Sequence, residues 1–206
     1  MNNQANKKVM TGLAAAFGIT LLGATLAAGP AMAALKPGDM APDFTLPGSL
    51  GGKDFTFNMK AALKKGPVVL YFYPSAYTGG CDLEAHTFAT DAAKFTAAGA
   101  SILGVSADNM QRLHQFSADP NFCAGKFPIA SDESTKVAKS YDLNVSPARS
   151  GAKDVRGQDI GHAFIERVTY VIGKDGRILA TFSSKADGLS PDQHVAKSLA
   201  IVTAAK

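Results

Sequence analysis

Cysteine is scarce: Cys81 and Cys123 are the only two among 206 residues. No Cys-x-x-Cys pair occurs, because "CDLE" puts Glu84 where a second sulfur would stand. That argues against a dithiol oxidoreductase. Copper delivery through paired thiols would need two close cysteines with a paired histidine, which "CDLEA" does not offer. The four histidines, His86, His114, His162 and His194, have no regular metal-ligand spacing. Charge is also thin. The net +4 includes Lys7 and Lys8, and with no acid before Ala34 the rest of the chain carries +2. There is no basic stripe, so a nucleic-acid partner is not expected. No apolar run beyond the first 33 residues is long enough to cross a membrane.

Those first 33 residues read as an export signal. Lys7 and Lys8 precede the uncharged stretch "VMTGLAAAFGITLLGATLAAG", and "AMA" places small residues at Ala31 and Ala33. This three-part pattern predicts cleavage after Ala33 and a protein that is periplasmic or secreted, the alternative being a membrane anchor through an uncleaved signal. With no twin arginine and no cysteine at the cut, the pattern fits Sec-type export. Residues 34–206 then form one domain. Two cysteines in an exported chain suggest a disulfide, either structural or redox-active.

Along that domain, residues 36–57 alternate between turn signals and short extended pieces. "NMKAALKKG" predicts a short helix ended by Gly66. "PVVLYFY" has the β-branched and aromatic character of a buried central strand, with Tyr71, Phe72 and Tyr73 mostly in the core. Helical spacing takes over after Cys81, where Phe88, Ala92 and Phe95 share a face and Gly99 closes the run. "SILGVSA" is the next strand, "NMQRLHQFSA" a helix, "FPIASD" a strand edge and "ESTKVAKSYDL" a short helix. "RVTYVIGKDGRILATFS" is a hairpin. The last helix starts at Ser190 as N-cap with Pro191 following. Strands alternating with helices, closed by a hairpin, predict a mixed α/β sheet with helices on its faces. Residues 144–166 show no period and are expected to be a mobile loop, with Arg149 and Arg156 solvated.

The stretch "PSAYTGGC", followed by Glu84, and an arginine, Arg167, opening "RVTYVIGKDGRI" together resemble the peroxiredoxins (AhpC/TSA superfamily), thiol peroxidases on a thioredoxin-like fold. The likeness runs from about Lys36 to the last helix and is nearest to the bacterioferritin-comigratory, PrxQ-like branch. The resemblance implies a thioredoxin-like mixed sheet with Cys81 as peroxidatic nucleophile. Pro74, Thr78 and Arg167 would be its active-site partners, and Glu84 would orient Arg167 from behind. Cys123, the one remaining thiol, would be the resolving cysteine, the alternative being a buried structural one. The substrate would be hydrogen peroxide or a small organic hydroperoxide, with a thioredoxin- or glutaredoxin-like protein as reductant. No metal, haem or flavin would be needed, and the protein would be a monomer or weak homodimer. Two features depart from the branch: His86 stands where some members carry a second cysteine, and residues 144–166 look like an insertion.

The chemistry asks for a thiolate, and an ordinary cysteine has a pKa of about 8.5. Free N–H groups at a helix start and the Arg167 charge are expected to lower it. Asp82 is expected to repel the thiolate. Thr78, three residues before Cys81, can bring its hydroxyl to the sulfur, and the Cys81 N–H and Arg167 can donate to a peroxide oxygen. Pro74 would fix the turn and exclude water. Among the histidines, His86 is the one near enough to Cys81 to be tested as acid or base. A non-catalytic thioredoxin-like binding module or a dithiol oxidoreductase is the alternative function.

Overall fold

The computed structural model describes residues 34–205; the expected export signal and its cleavage site lie outside them. Thr45–Leu50 (β1) and Lys53–Asn58 (β2) form a hairpin across Gly51–Gly52, followed by Met59–Leu63 (α1). Val68–Phe72 (β3) runs through the catalytic-looking turn into Gly79–Ala97 (α2). Next come Ser101–Ser106 (β4), Met110–Ala118 (α3), Ile129–Ser131 (β5) and Lys136–Ser140 (α4). Val145–Ser146 (β6) and Phe164–Ile165 (β7) bracket the long loop, and the chain ends with Val168–Ile172 (β8), Ile178–Ser183 (β9), Ser184–Asp187 (α5) and Pro191–Ala204 (α6).

Seven strands make one mixed sheet in the order β2-β1-β5-β4-β3-β8-β9. β3, β4 and β5 are parallel, while β8 and β9 continue antiparallel beyond β3. All five residues of β3 are buried, as its β-branched and aromatic composition predicts. Its alternation sorts two cores. Val69 and Tyr71 join Phe88, Phe95, Phe116 and Val195 beneath α2, α3 and α6. Val68, Leu70 and Phe72 join Met59, Ala138 and Tyr141 beneath α1 and α4. Gly104 in β4 is required by this packing, since a Cβ there would lie 2.6 Å from the Tyr71 ring. No helix among the described residues is long and apolar enough to cross a membrane.

Two expectations need correction. "FPIASD" does not lie at a sheet edge: β5 sits between β4 and β1, and Gly48 permits the contact, because a Cβ at 48 would collide with the Ile129 carbonyl. The 144–166 segment is not a loose loop. β6 and β7 pair at its base, Ile160 is buried, and the Asp154 side chain is fully enclosed. The anchors are buried polar contacts, which leave no hydrophobic period in the sequence.

Candidate active site

The turn Pro74–Thr78 leaves the carboxyl end of β3, the position at which parallel sheets place their sites. Ala76 N–H donates to Asp108 Oδ2 at 2.8 Å, tying the turn to the end of β4. Tyr77 adopts a left-handed conformation with φ of 58°. Thr78 returns to extended backbone as N-cap of α2. Cys81 is therefore the third residue of α2, near the positive end of a 19-residue helix, and is almost fully buried.

Arg167 reaches Cys81 across 86 positions of sequence because β8 pairs with β3 in a register that sets Val168 opposite Phe72. The first residue before β8 thus stands beside the turn that follows β3. One Nη2–H donates to Cys81 Sγ at 3.0 Å, and Nη1 donates to Glu84 Oε2. Gly80 makes room, since a Cβ there would press on Arg167 Nη2 at 3.3 Å. Glu84 lies one helical turn from Cys81, fully buried. The structure therefore brings together Cys81, Thr78, Arg167 and Glu84 as expected.

Burial pushes the Cys81 thiol above the ordinary cysteine value, although the Arg167 charge, the Thr78 side chain and the Ser75 backbone pull it down; Glu84 adds to the rise. This reverses the expected direction, because the helix end and Arg167 act on a sulfur that has lost its water. Burial likewise lifts Glu84 to about 7 against the opposing pull of Arg167. Arg167 itself is held protonated even more firmly than usual: burial disfavours it, but Cys81 and Glu84 outweigh that. The asymmetry follows from stoichiometry. One cation serves two acids and gains from both, whereas each acid has only a share of the cation.

Other details differ. The Cys81 N–H donates to the Thr78 carbonyl at 2.7 Å and is not free for a ligand. The Thr78 hydroxyl donates to the Ser75 carbonyl at 2.8 Å, so it must rotate to donate elsewhere. Asp82 is not among the main groups that shift Cys81. Burial raises Asp82 to about 6, and its charge instead contributes to raising Cys123. His86 Nδ1–H donates to the Asn121 carbonyl at 2.9 Å, linking α2 to the segment that carries Cys123. Cys123 is fully buried, and burial together with Asp119 and Asp82 pushes its thiol well above the ordinary value. It shares one core cluster with Cys81, Tyr71 and Tyr73, and both cysteines are free thiols.

His194 was not singled out from the sequence. It is fully buried behind Glu84, with Nδ1 at 2.9 Å from Thr169 Oγ1, Nε2 at 3.1 Å from Ser184 Oγ, and Nδ1 at 3.9 Å from Glu84 Oε1. Burial and the nearby Arg167 lower it to about 4, so it is neutral. Its place four residues after the N-cap, on the inward face with Val195 and Ser198, was the available signal. Ser75, His162 and Asp108 also meet. Ser75 and Asp108 approach the same nitrogen, Nε2, while Nδ1 donates to Ala163 O, so no Ser-His-Asp relay is formed. No group of three or more His, Cys, Asp or Glu side chains among the described residues is placed to hold a metal ion.

A thioredoxin-like sheet presenting a buried thiol to an arginine at a helix start defines the thiol peroxidases. The chain belongs to the AhpC/TSA family, whose profile matches residues 37–181. It is 34% identical over 165 residues to a putative peroxiredoxin of Mycobacterium tuberculosis, covering 79% of this chain and 92% of the relative. The crystal structure of peroxidoxin BcpB from M. tuberculosis superposes with a TM-score of 0.67 at 30% identity, covering 84% of this chain and 99% of that one. The Xanthomonas campestris bacterioferritin comigratory protein, described for its alkyl peroxide reduction activity, gives a TM-score of 0.59 at 28% identity over 78% of this chain and 92% of its own. The expected family, branch and fold are thereby borne out, and the protein is a thiol peroxidase.

Proposed function

We propose that Cys81 is the peroxidatic residue and that hydrogen peroxide and small organic hydroperoxides are its substrates. The observation that carries this reading is the Arg167 guanidinium bonded to both Cys81 Sγ and Glu84. The Cys81 thiolate attacks one peroxide oxygen. An S–O bond forms as the O–O bond breaks, sulfur gives up two electrons, and the leaving oxygen departs as hydroxide or alkoxide and takes a proton from water. Arg167 has further N–H groups to stabilise that developing charge. The Thr78 hydroxyl gives its proton to the Ser75 carbonyl and keeps lone pairs that can accept the peroxide O–H, and Pro74 keeps the turn closed. The product is Cys81 sulfenic acid.

Cys123 then resolves it: the Cys123 thiolate attacks Cys81 sulfur, an S–S bond forms and hydroxide leaves. A thioredoxin- or glutaredoxin-like dithiol protein reduces the disulfide. The shared core cluster and the irregular 119–126 segment, with Ala124 and Gly125 both at positive φ, support this reading. We read residues 1–33 as a cleaved export signal, which places the enzyme in the periplasm or outside the cell, as a monomer or weak homodimer. Mass spectrometry after one equivalent of peroxide tests the chemistry. A loss of two hydrogens in the wild type and a gain of one oxygen on Cys81 in Cys123→Ser are expected. A Cys81→Ser variant that still consumes peroxide rejects the assignment.

A further inference from the structure

We propose that the segment between β6 and β7 is a clamp that positions the peroxidatic turn, with Arg156 stacked on Tyr77 as its principal contact. The inference rests on Cys81 as the peroxidatic residue. Tyr77 immediately precedes Thr78, and its φ of 58° is a conformation that L side chains other than Asn and Asp seldom hold. Such strain persists only where the surroundings over-determine it. Here they do. The Arg156 guanidinium lies 3.3 Å from the Tyr77 ring centroid, a close cation–π stack. The Val155 N–H donates to the Tyr77 carbonyl at 2.9 Å. The ring also meets Phe116 and Phe122 in edge contacts, with centroids 5.0 and 5.5 Å away.

The clamp is itself rigidly mounted. Asp154, whose side chain is fully buried, accepts from Arg156 Nε and Nη2 at 3.0 and 2.9 Å and from Arg112 Nη2 at 2.7 Å. Arg112 also donates to the Ala76 carbonyl at 3.0 Å, one residue before Tyr77. His162, from the far end of the segment, holds Asp108 at 2.7 Å, and Asp108 holds Ala76 N–H. Ser75 Oγ also meets Asp108 Oδ1 and His162 Nε2 at 3.1 and 3.2 Å, so Ser75, Ala76 and Tyr77 are all fastened from 152–162 or through its partners. Because Tyr77 sets how the chain enters α2, the clamp sets where the Thr78 hydroxyl and the Cys81 sulfur stand relative to Arg167. Arg156 touches no reacting atom, so it is a positioning residue.

The test measures the rate of Cys81 sulfenic acid formation by hydrogen peroxide, by quenched mass spectrometry in a Cys123→Ser background, so that resolution plays no part. Arg156→Met should lower the rate about tenfold, the scale expected for a small misplacement of reacting groups. Arg156→Lys, which keeps a cation for the ring, should recover most of it. Tyr77→Leu should lower the rate comparably, and the Arg156→Met/Tyr77→Leu double variant should be no slower than either single one, since both remove the same contact. A rate in Arg156→Met within twofold of the parent overturns the clamp, whether or not its melting temperature falls; so do independent, multiplying losses in the double variant. If Tyr77→Leu does not fold, the Met-to-Lys comparison decides alone. Cys81→Ser is run in parallel: if it still consumes peroxide, the nucleophile assignment has failed and not the clamp.

Discussion

Arg167 holds Glu84 and Cys81 with different nitrogens of one guanidinium, Nη1 to the carboxylate and Nη2 to the sulfur at 3.0 Å. A single cation is divided between two buried acids, and most of the site's electrostatics follows from that division. Removing it should be felt on both. Arg167→Met keeps the apolar stem and loses the charge. Sulfenic acid formation should slow on the order of 100-fold, as for a lost oxyanion donor. The Cys81 titration should rise further, since burial would then act unopposed by its largest counterweight. Stopped-flow peroxide consumption and thiolate absorbance check the two parts; a normal rate would mean that the bond to Sγ is not used.

Glu84→Gln should separate affinity for the proton from reactivity. The Glu84 charge raises Cys81, so its removal should lower the Cys81 titration. Arg167 loses its ionic anchor, so the rate per thiolate should fall. Stability gives an independent reading. Glu84 sits at about 7 in the fold against an ordinary 4.5. Between these values the unfolded chain has released a proton that the fold retains, so this group weakens stability as pH rises from about 4.5 to about 7. Glu84→Gln should flatten that part of the melting-temperature profile. An unchanged slope would place Glu84 in contact with water.

The sheet and its helices were legible because each carries a local signal, and the Cys81–Thr78–Glu84–Arg167 set was legible through its resemblance to the peroxiredoxin motif. "PVVLYFY" is dense in strand formers, α2 has a glycine at each end, and Arg167 is a charge at the start of an apolar strand. What stayed hidden depends on contacts across long sequence separation. His194 looks like an ordinary inward helix position until β8 and α2 bring Thr169 and Glu84 to it. The 144–166 segment has no hydrophobic period because its anchors are Asp154, Arg156 and His162, whose partners lie on α3 and around Asp108. The direction of the Cys81 shift was misjudged because favourable charges are visible in sequence and desolvation is not.

Asp82 illustrates the same point and supports a further prediction. Its neighbour in sequence is Cys81, yet its charge bears on Cys123. Asp82 Oδ1 is buried without a hydrogen-bond partner among the described residues, and burial raises the carboxyl to about 6. Its cost to stability grows as pH rises through about 4 to 6 and is then constant. Asp82→Asn should therefore stabilise the reduced protein at neutral pH by about 1 kcal/mol, a figure discounted for partial solvent screening. The Cys81 titration should stay in place. Denaturant unfolding at two pH values, with thiolate absorbance in a Cys123→Ser background, checks both; a shifted Cys81 titration would restore Asp82 as a neighbour of the nucleophile.

The role proposed for Cys123 leads to the prediction that separates a staple from an intermediate. A bond to Cys81 would close a loop of about 43 residues, which as a structural staple would stabilise the fold by roughly 4 kcal/mol on the chain-entropy model. The reduced form, however, is already tightly packed around both thiols. Cys81 sits in the first turn of α2 under Arg167, and Cys123 is enclosed near Phe116, Phe122 and Phe127 in the same core cluster. Forming the disulfide would give up the Arg167–sulfur bond, and pulling the two segments together would strain the His86–Asn121 link and the Tyr77–Phe122 contact. Those losses offset the loop-closure gain, and strained bonds of this kind are the readily reduced ones. Oxidation by one equivalent of peroxide should therefore leave the melting temperature unchanged or lower it. Cys123→Ser should complete one turnover and stall as sulfenic acid when only a protein dithiol is supplied. A melting temperature well above that of the reduced form, with full multiple-turnover activity in Cys123→Ser, would make the bond a staple and the enzyme a one-cysteine peroxidase.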